Sequence, residues 1–202
     1  MVQTCTETGR ILMDIDIDFA DRQQALNLIK HIPAAINRKG EWVKHNTGVF
    51  VTAIPADPIT GMSSLDYKEA EDLGYVKLDL LNVHVYEQVQ DESHLIDLMA
   101  TEPKWEMLDH REFVEQIIHI NNHFDTLKKM PEPVDTIARM AMFLAVIRPA
   151  KRHLIGKVWK DVASDVWTKP TDGSYYFKKA HAISYAHLVA VHMNLLCGGS
   201  AH

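Results

Sequence analysis

Asp14, Asp16 and Asp18 stand on alternate residues of one stretch, Leu12-Met-Asp-Ile-Asp-Ile-Asp-Phe19. Apolar and acidic residues alternate there with period two, which predicts a β-strand over 12–19. Side chains two apart on a strand project to one face. The three carboxylates would then stand side by side, with Ile15 and Ile17 turned into a core. Neighbouring carboxylates repel one another unless a cation sits between them. Together with a carboxylate from a neighbouring strand, an Asp-x-Asp pair suits phosphoryl transfer with two divalent ions, which clamp the attacking and leaving oxygens. Magnesium takes such oxygen ligands. Asp79, in Tyr75-Val-Lys-Leu-Asp-Leu-Leu81, is the natural third ligand, and Lys77 on the same face would neutralise phosphate charge. The plainer alternative is a solvated acidic edge strand. A calcium-binding loop is excluded, because its glycine and its distal bidentate Glu are missing at the required spacing.

The elements that must position these residues follow from pattern. Arg22–Ile36 carries Ala25, Leu26, Leu28, Ile29, Ile32 and Ala35 near helical spacing, which predicts an amphipathic helix ending before an Arg38-Lys39-Gly40 turn. Val49–Ile54 is rich in β-formers and stops at Pro55, predicting a second strand. Residues 55–61 read as a loop. Tyr75–Leu80 alternates again and predicts a third strand. Beyond Leu81 the pattern turns helical, with Pro103, Pro131 and Pro133 as breaks. An apolar run over 134–147 predicts a buried helix, Thr171–Ser174 a turn, and 178–196 a last helix. The fold class expected is α+β, with an α/β unit over 1–90 and a mostly helical unit over 91–202.

The chain has 202 residues, 47% hydrophobic and 24% charged, enough to build a core without disulfides. Cys5 and Cys197 have no metal-ligand spacing and read as free thiols of a reducing compartment. No apolar run approaches the length of a membrane span, and the first residues lack the build of a signal peptide. A cytoplasmic location is expected. The formal net charge is -6, but Arg148–His181 holds eight Lys or Arg against three acids, interleaved with Trp159, Trp167, Tyr175, Tyr176 and Phe177. That segment could follow a phosphate backbone and stack on bases, or it could be a solvated helical face with a few core aromatics. His119 and His123 are four apart and would share a helix face, as zinc ligands do, yet no third ligand is in sight. An exposed pair is the simpler expectation. His192 shares a face of the last helix with His181. Met107, Met130, Met140 and Met142 read as core fillers. No Ser-His-Asp or Cys-His arrangement is defensible, since the histidines near Ser93 and Ser184 are neighbours only in sequence.

Five blocks, in this order, resemble the C-family of bacterial replicative DNA polymerases, the polymerase III alpha subunit. Asp14–Phe19 resembles the strand bearing the first two catalytic aspartates, which places those roles on Asp16 and Asp18, with Asp14 in support. His45–Val51 (HNTGVFV) is similar to the family's His-Ala-Gly-Gly-Val-Val segment. Tyr75–Leu81 is similar to the strand with the third catalytic aspartate, here Asp79. Val134–Lys151 resembles the fingers helix that ends in Arg-Pro-Gly, with Ala150 where the family has Gly. Phe177–Leu188 (FKKAHAISYAHL) is similar to the helix that follows. The resemblance implies a small palm of the beta-type nucleotidyltransferase fold followed by a helical fingers-like region. Asp16, Asp18 and Asp79 would be the catalytic metal ligands for two magnesium ions, with manganese as a substitute. Lys77, His45, Arg148, Lys178, Lys179 and His181 would contact substrate, and the partners would be DNA, deoxynucleoside triphosphates and other replication proteins. The family's Gly-Ser motif for the triphosphate has no counterpart ahead of Asp14, and its thumb is unmatched, so a partner chain is expected to supply them. The competing expectations are a catalytically inactive polymerase-derived module that binds DNA or a replisome protein, and a metal-dependent nuclease.

Overall fold

The computed structural model describes residues 2–6, 11–172 and 174–198, with side chains described from residue 15 onward. The side chains of Cys5 and Asp14 therefore lie outside the described residues, as does Gly173 of the expected 171–174 turn. The chain forms two compact units, Met1–Gln88 and Val89–His202. The sequence boundary had been expected after residue 90.

The first unit is an α+β arrangement on a mixed sheet. Its strands are β1 (Val2–Thr6), β2 (Ile11–Phe19), β3 (Ile32–Arg38), β4 (Glu41–Phe50) and β5 (Leu78–Asn82), in the order β1-β2-β5-β4-β3. The β2–β5 pair is parallel and the other three pairs are antiparallel. Two short helices complete it, α1 (Arg22–Leu28) and α2 (Tyr67–Asp72), followed by a 3-10 turn at His84–Gln88.

Three expected elements are corrected. The helix expected over 22–36 ends at Leu28, and Ile32–Arg38 is a strand. Pro33 cannot donate a helical hydrogen bond, while the small Ala34 and Ala35, on opposite faces of the strand, are both 0% exposed. The Lys39-Gly40 turn has positive φ at both residues, 57° and 94°. That is the signature of a two-residue hairpin, and it fixes the register Arg38↔Glu41. The second strand runs Glu41–Phe50 rather than 49–54, because the hairpin sets its start. The third runs Leu78–Asn82 rather than 75–80.

At the outer side of β3, the Ser63 N–H donates to Pro33 O at 2.9 Å, and the Asn37 N–H donates to Asp66 Oδ2 at 2.8 Å. The pairing of β3 with β4 shifts register between Pro33 and Ala35.

One sheet face is apolar: Leu26 of α1 packs with Val49 and Leu80, joined by Ile17, Phe19 and Leu78. Arg22 ties α1 to the strands, donating from Nε to Leu80 O at 2.7 Å and from Nη2 to Thr47 O at 3.3 Å. A second cluster holds Ala34, Phe50, Ile54 and Ala70 with Tyr67 and Tyr75 around them.

The second unit is helical: α3 (Glu92–Ala100), α4 (Arg111–Val114), α5 (Phe124–Leu127), α6 (Ile137–Val146), α7 (Trp159–Asp165) and α8 (Lys179–Gly198), with 3-10 turns at Trp105–Asp109 and Pro149–Leu154. Thr136 caps α6, its hydroxyl accepting from the Arg139 N–H. Helix α6 falls within the expected apolar run, and α8 covers most of the last expected helix. Met140, Phe143, Leu144, Val189 and Met193 form the centre of this core, each 0% exposed. Complete burial of a side chain such as Phe143 is worth about 1.5–3 kcal/mol. Of the four methionines read as core fillers, Met130 and Met140 are buried, and Met107 and Met142 pack at the core's edge. The Asn194 amide of α8 donates to Leu98 O and Thr101 O, at 2.9 and 2.8 Å, holding the end of α3. Among the described residues no helix is long and apolar enough to cross a membrane.

Candidate functional site

Parallel pairing of β2 with β5 sets Asp16 opposite Asp79 and Asp18 opposite Leu81. Registered neighbours in a sheet point to the same side. The Asp-x-Asp strand and the third aspartate, 63 positions apart in the sequence, are thus adjacent on one face. Asp16 is half-buried, Asp18 exposed and Asp79 buried. Although the residue as a whole is exposed, the Asp18 carboxyl is partly enclosed by neighbouring atoms, and this, followed by the charge of Asp16, pushes it above the usual carboxylate range. Asp18 in turn, after burial, raises the Tyr86 phenol. Negative charge has accumulated along this strand, as the sequence implied.

Asp79 sits differently. Its Oδ2 accepts from the Lys77 ammonium, and its Oδ1 accepts from the Thr47 hydroxyl at 2.7 Å. Lys77 and Asp79 are 6% and 8% exposed, so this is a buried ion pair. His45 Nδ1 lies 3.8 Å from the same Oδ1. That nitrogen accepts from the Gly48 N–H at 2.9 Å and the Thr47 N–H at 3.3 Å. With Nδ1 an acceptor, the neutral ring carries its proton on Nε2. Tyr67 closes the group, its ring 5.1 Å from the His45 ring and 5.8 Å from Lys77 Nζ.

Gly48, opposite Asp79 on β4, is required for space. A Cβ there would meet Lys77 Cδ at 2.8 Å, His45 Nδ1 at 3.0 Å and Ala34 Cβ at 3.2 Å. Gly48→Ala is expected to cost about 1–3 kcal/mol by overpacking, measured as a lower urea midpoint. A cost near zero would show that Lys77 is free to move.

Of the residues grouped here, sequence reading named the carboxylates, Lys77 and His45 as candidates and did not single out Thr47, Gly48 and Tyr67. Thr47 and Gly48 lie inside the HNTGVFV block, where adjacent small residues were the available signal. Tyr67 had none, because it reaches the site from α2.

As a cation site the group fits in chemistry and only partly in arrangement. The carboxylates share a face, but Lys77 already neutralises Asp79. Among the described residues no three His, Cys, Asp or Glu side chains are grouped to hold a metal ion.

The remaining candidates belong to the helical unit. Lys178 and Lys179 are exposed at the start of α8. His181 stacks on Phe177 with ring centroids 6.3 Å apart and planes 6° from parallel. The Arg148 guanidinium lies over the same Phe177 ring at 4.8 Å. Among the described residues Arg148 has no salt-bridge partner. His119 and His123 share no helix, since both lie in the irregular stretch between α4 and α5. Neither is fully exposed, contrary to expectation. His192 is buried and accepts from the Ile118 N–H at 3.1 Å. Much of the aromatic series in the basic segment is structural: Trp159 and Phe177 are buried, and Lys151 is buried against Asp165 at 2.8 Å.

No family model matches the chain, and neither the curated proteins nor the solved structures give a significant match.

Proposed function

We propose that this chain is a small nucleotidyltransferase of the polymerase III alpha type, acting on DNA and deoxynucleoside triphosphates together with a partner chain of the replication machinery. The observation that carries the proposal is the register Asp16↔Asp79 on parallel strands, with Asp18 two residues along the same face. On this reading the sheet unit serves as a palm and the helical unit as fingers. Asp16, Asp18 and Asp79 would hold two magnesium ions, or manganese in their place. Bound divalent ions supply charge stabilisation for phosphoryl transfer, which asks little covalent chemistry of the protein.

The chain's own residues then have defined tasks. Lys77 moves its ammonium from Asp79 Oδ2 to a phosphate oxygen, exchanging one anionic partner for another. Thr47 keeps Asp79 oriented through Oδ1. His45, with Nδ1 held by two backbone N–H groups, is fixed beside Asp79 as a substrate contact. Arg148, Lys178, Lys179 and His181 supply phosphate contacts from the helical unit.

A specific observation favours a second reading. The Lys77–Asp79 pair already balances the charge that a cation would balance. A polymerase-derived module that binds DNA or a replisome protein without catalysis would keep the aspartates in this way.

Primer extension with purified protein, with and without candidate partner chains, separates the two. Asp16→Asn is the cleaner variant, because Asp16 is only half-buried whereas Asp79 is buried in the ion pair with Lys77. Magnesium-dependent extension that disappears in Asp16→Asn is the expected result. Extension unchanged in Asp16→Asn and in Asp79→Asn discards the catalytic assignment. Calorimetric silence toward both magnesium and nucleotide selects the binding module.

A further inference from the structure

Two buried side-chain polar atoms among the described residues lack any hydrogen-bond partner: His119 Nε2 and Arg148 Nε. Both belong to one cluster in the helical unit. The His119 ring meets Tyr185 of α8 edge-on at 4.4 Å, Tyr185 meets Phe177 at 5.3 Å, and Phe177 carries Arg148 on its face. Buried polar atoms are almost always satisfied, so two orphans in one cluster point to a missing partner.

The backbone points the same way. His119 has φ 67°, a left-handed conformation uncommon for a residue with a side chain. Its turn is pinned by Ile117 and Ile120, each 0% exposed, and by the Ile118 N–H bond to His192. Such strain is retained where the surroundings fix it, often at ligand sites.

The charges around the cluster are unbalanced. Arg148 acts on both His119 and His123, and Arg152 acts on His123. Arg152 is exposed and gives its Nε to Ile147 O at 3.3 Å. From α8, His181, Tyr185 and His192 face the same region. Among the described residues no carboxylate forms an ion pair with Arg148 or Arg152.

We infer that Arg148 and His119, with His123 beside them, form a binding site for the phosphate group of a small molecule. Arg148 Nε–H and His119 Nε2–H are the donors, and Phe177 holds the guanidinium plane in position. A planar guanidinium beside imidazole donors suits a tetrahedral oxyanion. Burial and the charge of Arg148 hold His119 down at about 4. A bound phosphate anion opposes that charge, so binding and protonation of His119 assist one another. Arg148 also belongs to the phosphate contacts of the proposed function, but this site needs neither magnesium nor the acidic strand. Its failure and the failure of the Asp16 test are therefore separate results.

The test is histidine side-chain NMR on the full chain, titrated with inorganic phosphate against chloride at matched ionic strength. A parallel arm uses a deoxynucleoside triphosphate, and acetate is the control. The expected result is a rise of about one unit in the His119 pKa, equivalent to about tenfold tighter phosphate binding to the protonated form. A larger response to the triphosphate than to phosphate identifies the nucleotide as the source. Arg148→Met abolishes the response while leaving the melting temperature equal or higher, because it removes an unpaired cation. Should that variant misfold, His119→Gln keeps a donor and is expected to bind more weakly and without pH dependence. A His119 titration indifferent to phosphate, an equal response to acetate, or full binding by both variants overturns the site.

Discussion

Lys77→Met is expected to lower the stability of the chain by about 3–5 kcal/mol, the usual cost of leaving one partner of a buried ion pair unpaired. The two groups are 6% and 8% exposed, so water cannot take over the role of the ammonium. Thr47 keeps its bond to Asp79 Oδ1, which leaves Oδ2 as the abandoned acceptor. Urea unfolding of Lys77→Met, Asp79→Leu and the double variant measures the effect. The double variant should recover most of the loss, since apolar replacement of a buried pair is often neutral. It falls short by about 1 kcal/mol, because the Thr47 hydroxyl then loses its acceptor. The experiment also bears on function. If the acidic face is a cation site, magnesium restores part of the stability of Lys77→Met, since Asp79 regains a counter-charge. A Lys77→Met protein indifferent to magnesium argues for the module without catalysis.

The second large effect is on acid stability. His119, His123 and His192 are each lowered from the ordinary histidine range, first by burial in all three cases. A histidine kept neutral in the folded chain binds its proton more readily when unfolded. Its contribution is therefore fully present above about pH 6.5, the unfolded value, and is lost as pH falls through the folded value. For His119 that window runs from 6.5 down to about 4. The loss is on the order of 3 kcal/mol before screening and roughly 2 kcal/mol after allowing for partial exposure. Asp18 acts in the opposite sense, because its raised carboxyl favours the folded chain as pH falls. Urea midpoints across this window, in phosphate-free buffer, should decline for the wild type. The decline should be shallower in His119→Gln. Parallel profiles for the two proteins would show that His119 is well solvated.

The acidic strand was legible because a strand with period two needs only local information. Asp16 and Asp18 on one face, and Ile17 on the other, follow from alternation alone. The relation of Asp16 to Asp79 was an inference about pairing, and the parallel register brings those two together. What the sequence could not show was the state of Asp79. Lys77 is two residues away on the same face, which was read as a phosphate contact, whereas in the fold it is the partner of Asp79 itself. Competition between an internal and an external counter-charge is decided by burial, and burial is a property of the assembled sheet.

The misread helix over 22–36 has a similar cause. Ala25, Leu26 and Leu28 carry a helical pattern, and Ala34 and Ala35 extend it. The pairing of 32–38 with β4 overrides that local preference. His119 and His123 were read as sharing a helix face for the same reason. Four-residue spacing has meaning only inside a helix, and the chain between α4 and α5 is held instead by buried isoleucines and by His192.

The outer margin of β3 has a consequence for how the chain behaves in a crowded solution. A terminal strand with free N–H and C=O groups is a template onto which another molecule can add. Here Ser63 and Asp66 engage Pro33 O and Asn37 N–H, and Pro33 itself has no N–H to offer. The shift of register beside it further spoils a straight docking line. Recruitment of a foreign strand along that margin is thereby disfavoured, so any protein that docks there has to find the chain by side chains rather than by extending its sheet.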